Sequence, residues 1–140
     1  MTIKRLDDWA DRLKAAIEAK AHEPHSWGEN DCALFAADVI EAMTGVDIAK
    51  DFRGKYATEI GAARVLKKAG FSSLSELGSS MLESVPPSFA RRGDIVIMPG
   101  ELGDYFAVCL GHVCAGPGAS GVIYDRRTLS KEAFSVPFKD

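Results

Sequence analysis

The chain has 140 residues, of which 46% are hydrophobic and 26% charged, and its formal net charge is −3. These values are typical of a soluble globular protein and exclude the strongly basic surface that nucleic-acid binding requires. The length indicates a single domain, 1–140, with a core that needs neither a metal nor disulfides.

The sequence contains no obvious targeting or membrane segment. The first residues, M-T-I-K-R-L-D-D-W, lack the apolar core of a signal peptide, and no apolar run is long enough to span a membrane. The 3 cysteines cannot all pair within one chain. We therefore expect reduced thiols and synthesis in a cytoplasm, which is also where a virion protein is made.

The first half of the chain predicts helices. Residues 5–20 carry apolar side chains at spacings of three and four, which is typical of an amphipathic helix packed on the outside of a core. A second and almost wholly apolar helix is predicted at 32–44. Residues 46–56 have no clear period and are interpreted as an ordered loop. Further helices are predicted at 58–69 and, less regularly, at 73–83.

The second half predicts strands. Residues 94–98 form a short apolar run bounded by glycine and proline, and 105–110 form a second one. Residues 113–115 are interpreted as a continuation of the second strand, and further strands are predicted at 121–124 and 133–136. Helices followed by a small antiparallel sheet indicate an α+β domain.

The most informative stretch is 24–40, P-H-S-W-G-E-N-D-C-A-L-F-A-A-D-V-I. Asn30 or Asp31 can cap the apolar helix, and Cys32 then becomes its first residue. At this position the helix dipole lowers the pKa of a thiol and favours the reactive thiolate. The alternative is that Cys32 is simply a small buried residue.

Three motifs together resemble the NlpC-type cysteine peptidases, which are compact papain-like enzymes. They are W-G-E-N-D-C before the apolar helix, F-R-G-K-Y in the following loop, and R-R-G-D-I-V-I-M at the first strand. The resemblance covers roughly residues 24–124 and is greatest to an uncharacterised phage and prophage branch associated with tails. It implies a papain-like fold, with N-terminal helices packed on a small antiparallel sheet.

The resemblance also implies roles for individual residues. Cys32 occupies the position of the nucleophile, and Asp31 fits a helix cap better than a chemical role. The family's histidine heads the second strand, but here Tyr105 stands at that position, and tyrosine is a poor base at neutral pH.

His112 is a second candidate for the base. It lies seven residues after Tyr105, so it would face the other side of a regular strand unless a bulge at Gly111 changes the alternation. Starting the strand at His112 instead would place Gly-Pro-Gly, 116–118, inside a strand, which is unfavourable. His25 precedes the thiol by seven residues but has no counterpart in the family.

No metal or other cofactor is expected. A zinc site built from Cys32, Cys109, His112 or Cys114 lacks the paired ligand spacing of structural zinc sites, and we interpret Cys109 and Cys114 as ordinary strand residues.

Substrate contacts are expected from the loops around the thiol. Arg53 and Tyr56, with Trp27, could line a peptide groove, since arginine suits carboxylate-bearing peptides. Arg53 and Tyr56 could equally attach their loop to the body of the domain.

Two functions follow from the resemblance. The first is a cysteine amide hydrolase that acts on bacterial cell-wall peptides and is associated with a phage tail or its assembly. The second is a catalytically inactive structural or adaptor protein that contacts other tail proteins, as Tyr105 in the histidine position suggests.

Overall fold

The structure is a computed structural model that describes residues 3–138. Within this range the chain forms four α-helices and a six-stranded sheet, which confirms the α+β class. The helices are α1 (Trp9–Ala19), α2 (Cys32–Thr44), α3 (Glu59–Lys68) and α4 (Leu74–Met81). The strands are β1 (Glu83–Val85), β2 (Ile95–Met98), β3 (Tyr105–Cys109), β4 (Val113–Gly118), β5 (Gly121–Arg126) and β6 (Glu132–Ser135). None of the described helices is long and apolar enough to cross a membrane.

Every neighbouring pair of strands in the sheet is antiparallel, and the strand order is β1-β6-β2-β3-β4-β5. One face of the sheet packs against α2, the most apolar of the helices. The alternation of side chains along β3 divides the core, because Phe106 and Val108 face α2 whereas Ala107 and Cys109 belong to a smaller cluster on the other face. Leu13 and Ile17 of α1 complete the larger cluster.

The predicted helices are confirmed in type, but two boundaries are wrong, one of them the end of the helix predicted over 73–83, which stops at Met81 before β1 begins at Glu83. The predicted bounds of α2 are those observed, and Gly45 ends the helix with φ 80°. Thr58 and Ser73 cap α3 and α4 by accepting backbone N–H hydrogen bonds through their hydroxyl groups. The first helix, predicted over 5–20, begins only at Trp9, because Arg5 and Leu6 donate their backbone N–H groups to the distant Pro137 and Met43 carbonyls.

Arg5 is the reason for this late start. Its side chain is 2% exposed and forms an ion pair of 2.9 Å with Asp94. Its guanidinium also donates to the backbone carbonyls of Arg92 and Val136. The extended N-terminal segment is therefore attached to the sheet next to β2.

The interpretation of 113–115 as part of the second strand is wrong. The chain turns after Cys109, and Val113 begins a separate strand that runs back beside β3. Gly111, with φ 112°, lies in this turn, a conformation that favours glycine.

The objection to Gly-Pro-Gly inside a strand is also wrong, because β4 contains all three residues. The register between β3 and β4 ends at Ala115, whereas Pro117 pairs with Val122 of β5. Odd-numbered residues of β4 direct their backbone groups toward β3, as the bond from the Leu110 N–H to the Val113 carbonyl shows. The N–H that proline lacks would therefore face β3, where the register already ends at Ala115, and pairing with β5 holds Pro117 in the strand.

Candidate functional site

Cys32 is the first residue of α2, as predicted, and Asp31 is the N-cap. The Asp31 carboxylate accepts a hydrogen bond of 3.0 Å from the Leu34 N–H. Its other oxygen accepts the Gly28 N–H at 3.0 Å and the Tyr56 hydroxyl at 2.6 Å. Asp31 is only 2% exposed, so this carboxylate connects the helix start, the preceding turn and the loop of Tyr56 from a buried position.

The W-G-E-N-D-C and F-R-G-K-Y motifs therefore meet in space. Besides the bond from Tyr56 to Asp31, the Gly54 N–H donates to the Gly28 carbonyl at 3.0 Å. Gly28 has φ 82°, and a Cβ at this position would collide with the Tyr56 carbonyl oxygen. Only glycine permits both this conformation and this close approach.

We predict that Gly28→Ala destabilises the domain more than Gly45→Ala does. Gly45 has nearly the same φ, 80°, but no atom lies within 4 Å of its would-be Cβ. Its substitution should therefore cost only the left-handed conformation, about 1–2 kcal/mol. The collision with Tyr56 adds to this cost at Gly28. Urea unfolding of both variants measures the difference, and equal losses would show that the Tyr56 loop moves away freely.

Arg53 attaches its loop to the body of the domain. Its guanidinium forms ion pairs of 2.9 Å with Asp47 and 2.7 Å with Asp38, a residue of α2. Lys20, at the end of α1, pairs with the same Asp38 at 2.6 Å. Arg53 does not line the cavity beside the thiol, so the structure favours the anchoring role over the peptide-groove role for this residue.

Cys32 opens onto a cavity of about 280 Å³. Helices α2, α3 and α4 and one face of the sheet form its walls, and α3 covers it without burying any of its own residues. Trp27 and Tyr56 line this cavity, as the sequence suggested. Almost all other lining side chains are alkyl or aromatic, and Asp31, Glu59 and Asp104 are the acidic ones among them.

None of the three histidines lines this cavity. His25 donates its backbone N–H to Gly118 and packs its ring edge-to-face against Trp27, with ring centroids 4.7 Å apart. His22 is exposed just after α1, and His112 is exposed in the turn after β3.

The structure does not bring His112 to Cys32. Cys32 shares its cavity with Phe106, near the start of β3, whereas His112 follows the other end of that strand. The four residue steps from Phe106 to Leu110 alone span roughly 13 Å. Gly111 forms part of a hairpin turn and not of a bulge that would redirect the imidazole.

Tyr105 lies at the start of β3, but its ring is on the face of the sheet away from α2. It packs beside Cys114 and Met98 in the smaller cluster, and its ring lies over Gly116. Burial, with the charge of Asp125, raises the pKa of this phenol. The residue at the family's histidine position is therefore not positioned to accept a proton from Cys32.

The backbone groups at the helix start do favour the thiolate, but the pKa of Cys32 is raised overall, so the prediction of a lowered pKa is wrong. Burial, together with the adjacent Asp31 carboxylate, raises the pKa of this thiol to about 11. Hydrogen bonding from the Phe106 and Ala33 backbones acts in the opposite direction but is the smaller influence. The cavity leaves the residue partly exposed, but its apolar walls hydrate a thiolate poorly.

Tyr56 offers no base either. Burial and the hydrogen bond to Asp31 raise the pKa of its phenol. Its proton is already directed at the carboxylate oxygen, 2.6 Å away, so Tyr56 acts as a hydrogen-bond donor to Asp31.

Metal ligation is not indicated. Within residues 3–138, no group of three or more His, Cys, Asp or Glu side chains is placed to hold a metal ion. Cys109 and Cys114 lie on the opposite face of the sheet from Cys32.

A family model described as a domain of unknown function, DUF6950, matches residues 4–136. The chain belongs to the DUF6950 family. The matched range of this DUF6950 domain includes all three motifs and every residue that lines the cavity. No curated protein matches the chain.

Sequence reasoning missed the buried position of Asp31 between two loops. The cap itself was recognisable from its place before an apolar helix, but the bond to Tyr56 joins residues 25 positions apart. The paired motifs were the signal that these loops belong together.

Proposed function

We propose that this DUF6950 domain is an NlpC-like domain without hydrolase activity, which serves as a structural or adaptor component in the assembly of a phage tail. The observation that carries the proposal is the surroundings of Cys32, which lies beside a buried, fully hydrogen-bonded carboxylate in a cavity that no histidine lines. The resemblance of the three sequence motifs to a tail-associated branch supplies the assembly context.

A cysteine hydrolase needs a thiolate and a partner that moves its proton. With a pKa of about 11, only about one Cys32 thiol in ten thousand is ionised at pH 7. A general base must also come within about 3.2 Å of the proton that it removes. The surroundings of Cys32 supply neither a thiolate nor a base. The Asp31 carboxylate already accepts three hydrogen bonds, and one of the donors is the Tyr56 hydroxyl, so neither residue is free to take the proton of the thiol.

The same surroundings are well suited to structural support. Asp31, Gly28 and Tyr56 hold two loops against the start of α2, and Arg53 ties the second loop to the side of that helix. Buried polar networks of this kind fix one arrangement of loops because every member has its partner. The motifs that resemble a peptidase site are accounted for by this role alone.

Incubation with purified peptidoglycan tests the absence of hydrolysis. We expect wild type and Cys32→Ala to release no amines or muropeptides above the level of a buffer blank, with an active cell-wall amidase as the positive control. Release by wild type that Cys32→Ala abolishes would contradict the proposal and establish the second candidate, a cysteine peptidase of cell-wall peptides.

That second candidate is favoured by one observation, the placement of Cys32 at the N-terminus of a buried helix and beside an open cavity. It requires a base to arrive from outside the cavity.

The assembly role is tested separately from catalysis. Co-expression of the chain with the proteins encoded by neighbouring genes, followed by size-exclusion chromatography, should give a complex that contains wild type and Cys32→Ala equally. Loss of the complex only in Cys32→Ala would show that the thiol takes part in binding, and elution of the chain alone in every combination would reject the adaptor role.

A further inference from the structure

A pair of thiols lies on the face of the sheet that the candidate site does not use. Cys109 of β3 and Cys114 of β4 are direct cross-strand partners. Both are free and buried, at 0% and 2% exposure, among the residues of the smaller apolar cluster. No role in the candidate site requires either of them.

The hydrogen-bond pattern places the two thiols at the closer type of cross-strand position. The N–H of Cys109 donates to the Asp94 carbonyl, and its own carbonyl accepts the Gly93 N–H, so both backbone groups point away from β4. The next pair, Leu110 and Val113, is joined by a hydrogen bond across β3 and β4. Cys109 and Cys114 are therefore a non-hydrogen-bonded pair, whose Cα atoms typically lie about 4.5 Å apart.

This spacing is within the range of disulfides, whose Cα atoms are usually about 4.4–6.8 Å apart. The Cys109 Sγ donates to the Gly111 carbonyl at 3.6 Å, and the register of the two strands sets Cys114 directly opposite it. A bond between the sulfurs therefore requires only side-chain rotation and no change in the register of the strands.

The surroundings also distinguish the two thiols. The interaction between the two thiols lowers the pKa of Cys109 to about 7 and raises that of Cys114. The Arg127 guanidinium favours the thiolate at both positions. Cys109 is therefore the thiol that ionises first and attacks an oxidant, and Cys114 is the partner that resolves the product.

We propose that Cys109 and Cys114 are a redox-active dithiol, which a peroxide converts to a cross-strand disulfide in the folded domain. The burial of both sulfurs selects an oxidant as small as hydrogen peroxide over bulky disulfides. This inference is independent of the proposed function, because it concerns the other face of the sheet.

The reaction balances in two steps. The Cys109 thiolate attacks one peroxide oxygen, the O–O bond breaks, and Cys109 becomes a sulfenic acid while hydroxide leaves. The Cys114 sulfur then attacks the Cys109 sulfur, the S–O bond breaks, and the second hydroxide leaves. The protons of the two original thiols convert both hydroxides to water, so the sulfur pair loses two electrons and the peroxide gains them.

The experiment counts free thiols in the full chain. Folded wild type is treated with hydrogen peroxide, quenched, denatured and alkylated with N-ethylmaleimide, and its intact mass is measured. We expect the number of adducts to fall from three to one, and dithiothreitol to restore three. Peptide mapping should join Cys109 to Cys114. A Cys32→Ser variant, which retains only this pair, should fall from two adducts to none.

Matched controls separate proximity from general oxidation. The single variants Cys109→Ser and Cys114→Ser should form no intramolecular disulfide. Circular dichroism checks that each variant is folded. Wild type unfolded in urea should form the disulfide more slowly than the folded protein, a comparison that needs no variant. Three adducts after treatment of the folded chain, a disulfide that includes Cys32, or faster disulfide formation in urea would each overturn the proposal.

Discussion

Replacing Asp94 by alanine should lower the free energy of unfolding by about 3–5 kcal/mol, because it leaves a buried arginine without its counter-ion. One Asp94 oxygen accepts from Arg5 at 2.9 Å and from the Val136 N–H at 3.1 Å, and the other accepts from the Arg91 N–H at 2.9 Å. The carboxylate is 1% exposed, so water cannot replace these bonds. Thermal unfolding should show a fall in Tm of roughly 10 °C or more.

Asp104→Ala is the matched control. Asp104 forms an ion pair of 2.8 Å with Lys131, which is nearly as long as the pair between Arg5 and Asp94. The side chains of Asp104 and Lys131 are, however, both exposed. Exposed pairs contribute less than about 1 kcal/mol, so this variant should unfold close to wild type. Equal losses in the two variants would contradict the assignment of Asp94 as the buried anchor of the N-terminal segment.

This role of Asp94 also gives a structural meaning to a motif that resembles a peptidase signature. In R-R-G-D-I-V-I-M the aspartate holds Arg5 and the segment after β6, while Gly93 leaves room for the Arg5 guanidinium. A Cβ at Gly93, whose φ is 93°, would come within 2.7 Å of that guanidinium. The glycine and the aspartate therefore serve the same buried ion pair, and no chemical role is needed to explain them.

The helices were predictable from the sequence because their signals are local. The apolar run after Asp31 and the glycine at position 45 mark both ends of α2, and Thr58 and Ser73 mark the starts of α3 and α4. The N-terminal segment was not predictable in this way. Leu6 continues the apolar spacing of α1, but the long-range bond of its N–H to the Met43 carbonyl holds it outside the helix.

The sheet illustrates the same limit. The apolar runs 94–98 and 105–110 identify β2 and β3 by composition, whereas β4 contains glycine and proline and has no such run. Its strand conformation depends on pairing with β5 and on the early end of its ladder with β3. Neither condition can be read from the local sequence, because both depend on where other strands stop.

The candidate site was predictable in position but not in electrostatics. The sequence identified Cys32 as the first residue of a capped helix, and the structure has it there. The pKa of its thiol depends on the cavity walls contributed by α3, α4 and the sheet, which lie far along the chain. The effect of a helix dipole is confined to one turn, and here burial and the charge of the capping aspartate exceed it.

The thiol of Cys32 should react with iodoacetamide at pH 8 about 100-fold more slowly than an ordinary thiol. The thiolate is the nucleophile, and a pKa of about 11 in place of 9.0 reduces its fraction by two powers of ten. The measurement uses the variant Cys109→Ser/Cys114→Ser, in which Cys32 is the remaining cysteine. The rate should keep rising up to about pH 11, and a plateau below pH 8 would contradict the raised pKa.

Asp31→Asn separates the two causes of this shift. The amide keeps an oxygen that can cap α2, but it removes the charge beside the thiol, so the pH profile of alkylation should move to lower pH. Burial is the larger cause, so the apparent pKa should remain above 9.0. A fall to the ordinary value would assign the whole shift to the carboxylate.

The same shift predicts a stability change at alkaline pH. A thiol whose pKa is raised on folding stabilises the native state below the pKa of the unfolded chain, near 9.0, and this stabilisation is lost as the pH rises toward 11. Wild type should therefore lose more stability between pH 9 and pH 11 than Cys32→Ala, in which no thiol titrates at this position. Parallel urea unfolding curves for the two proteins across that interval would instead indicate that the cavity hydrates the thiolate.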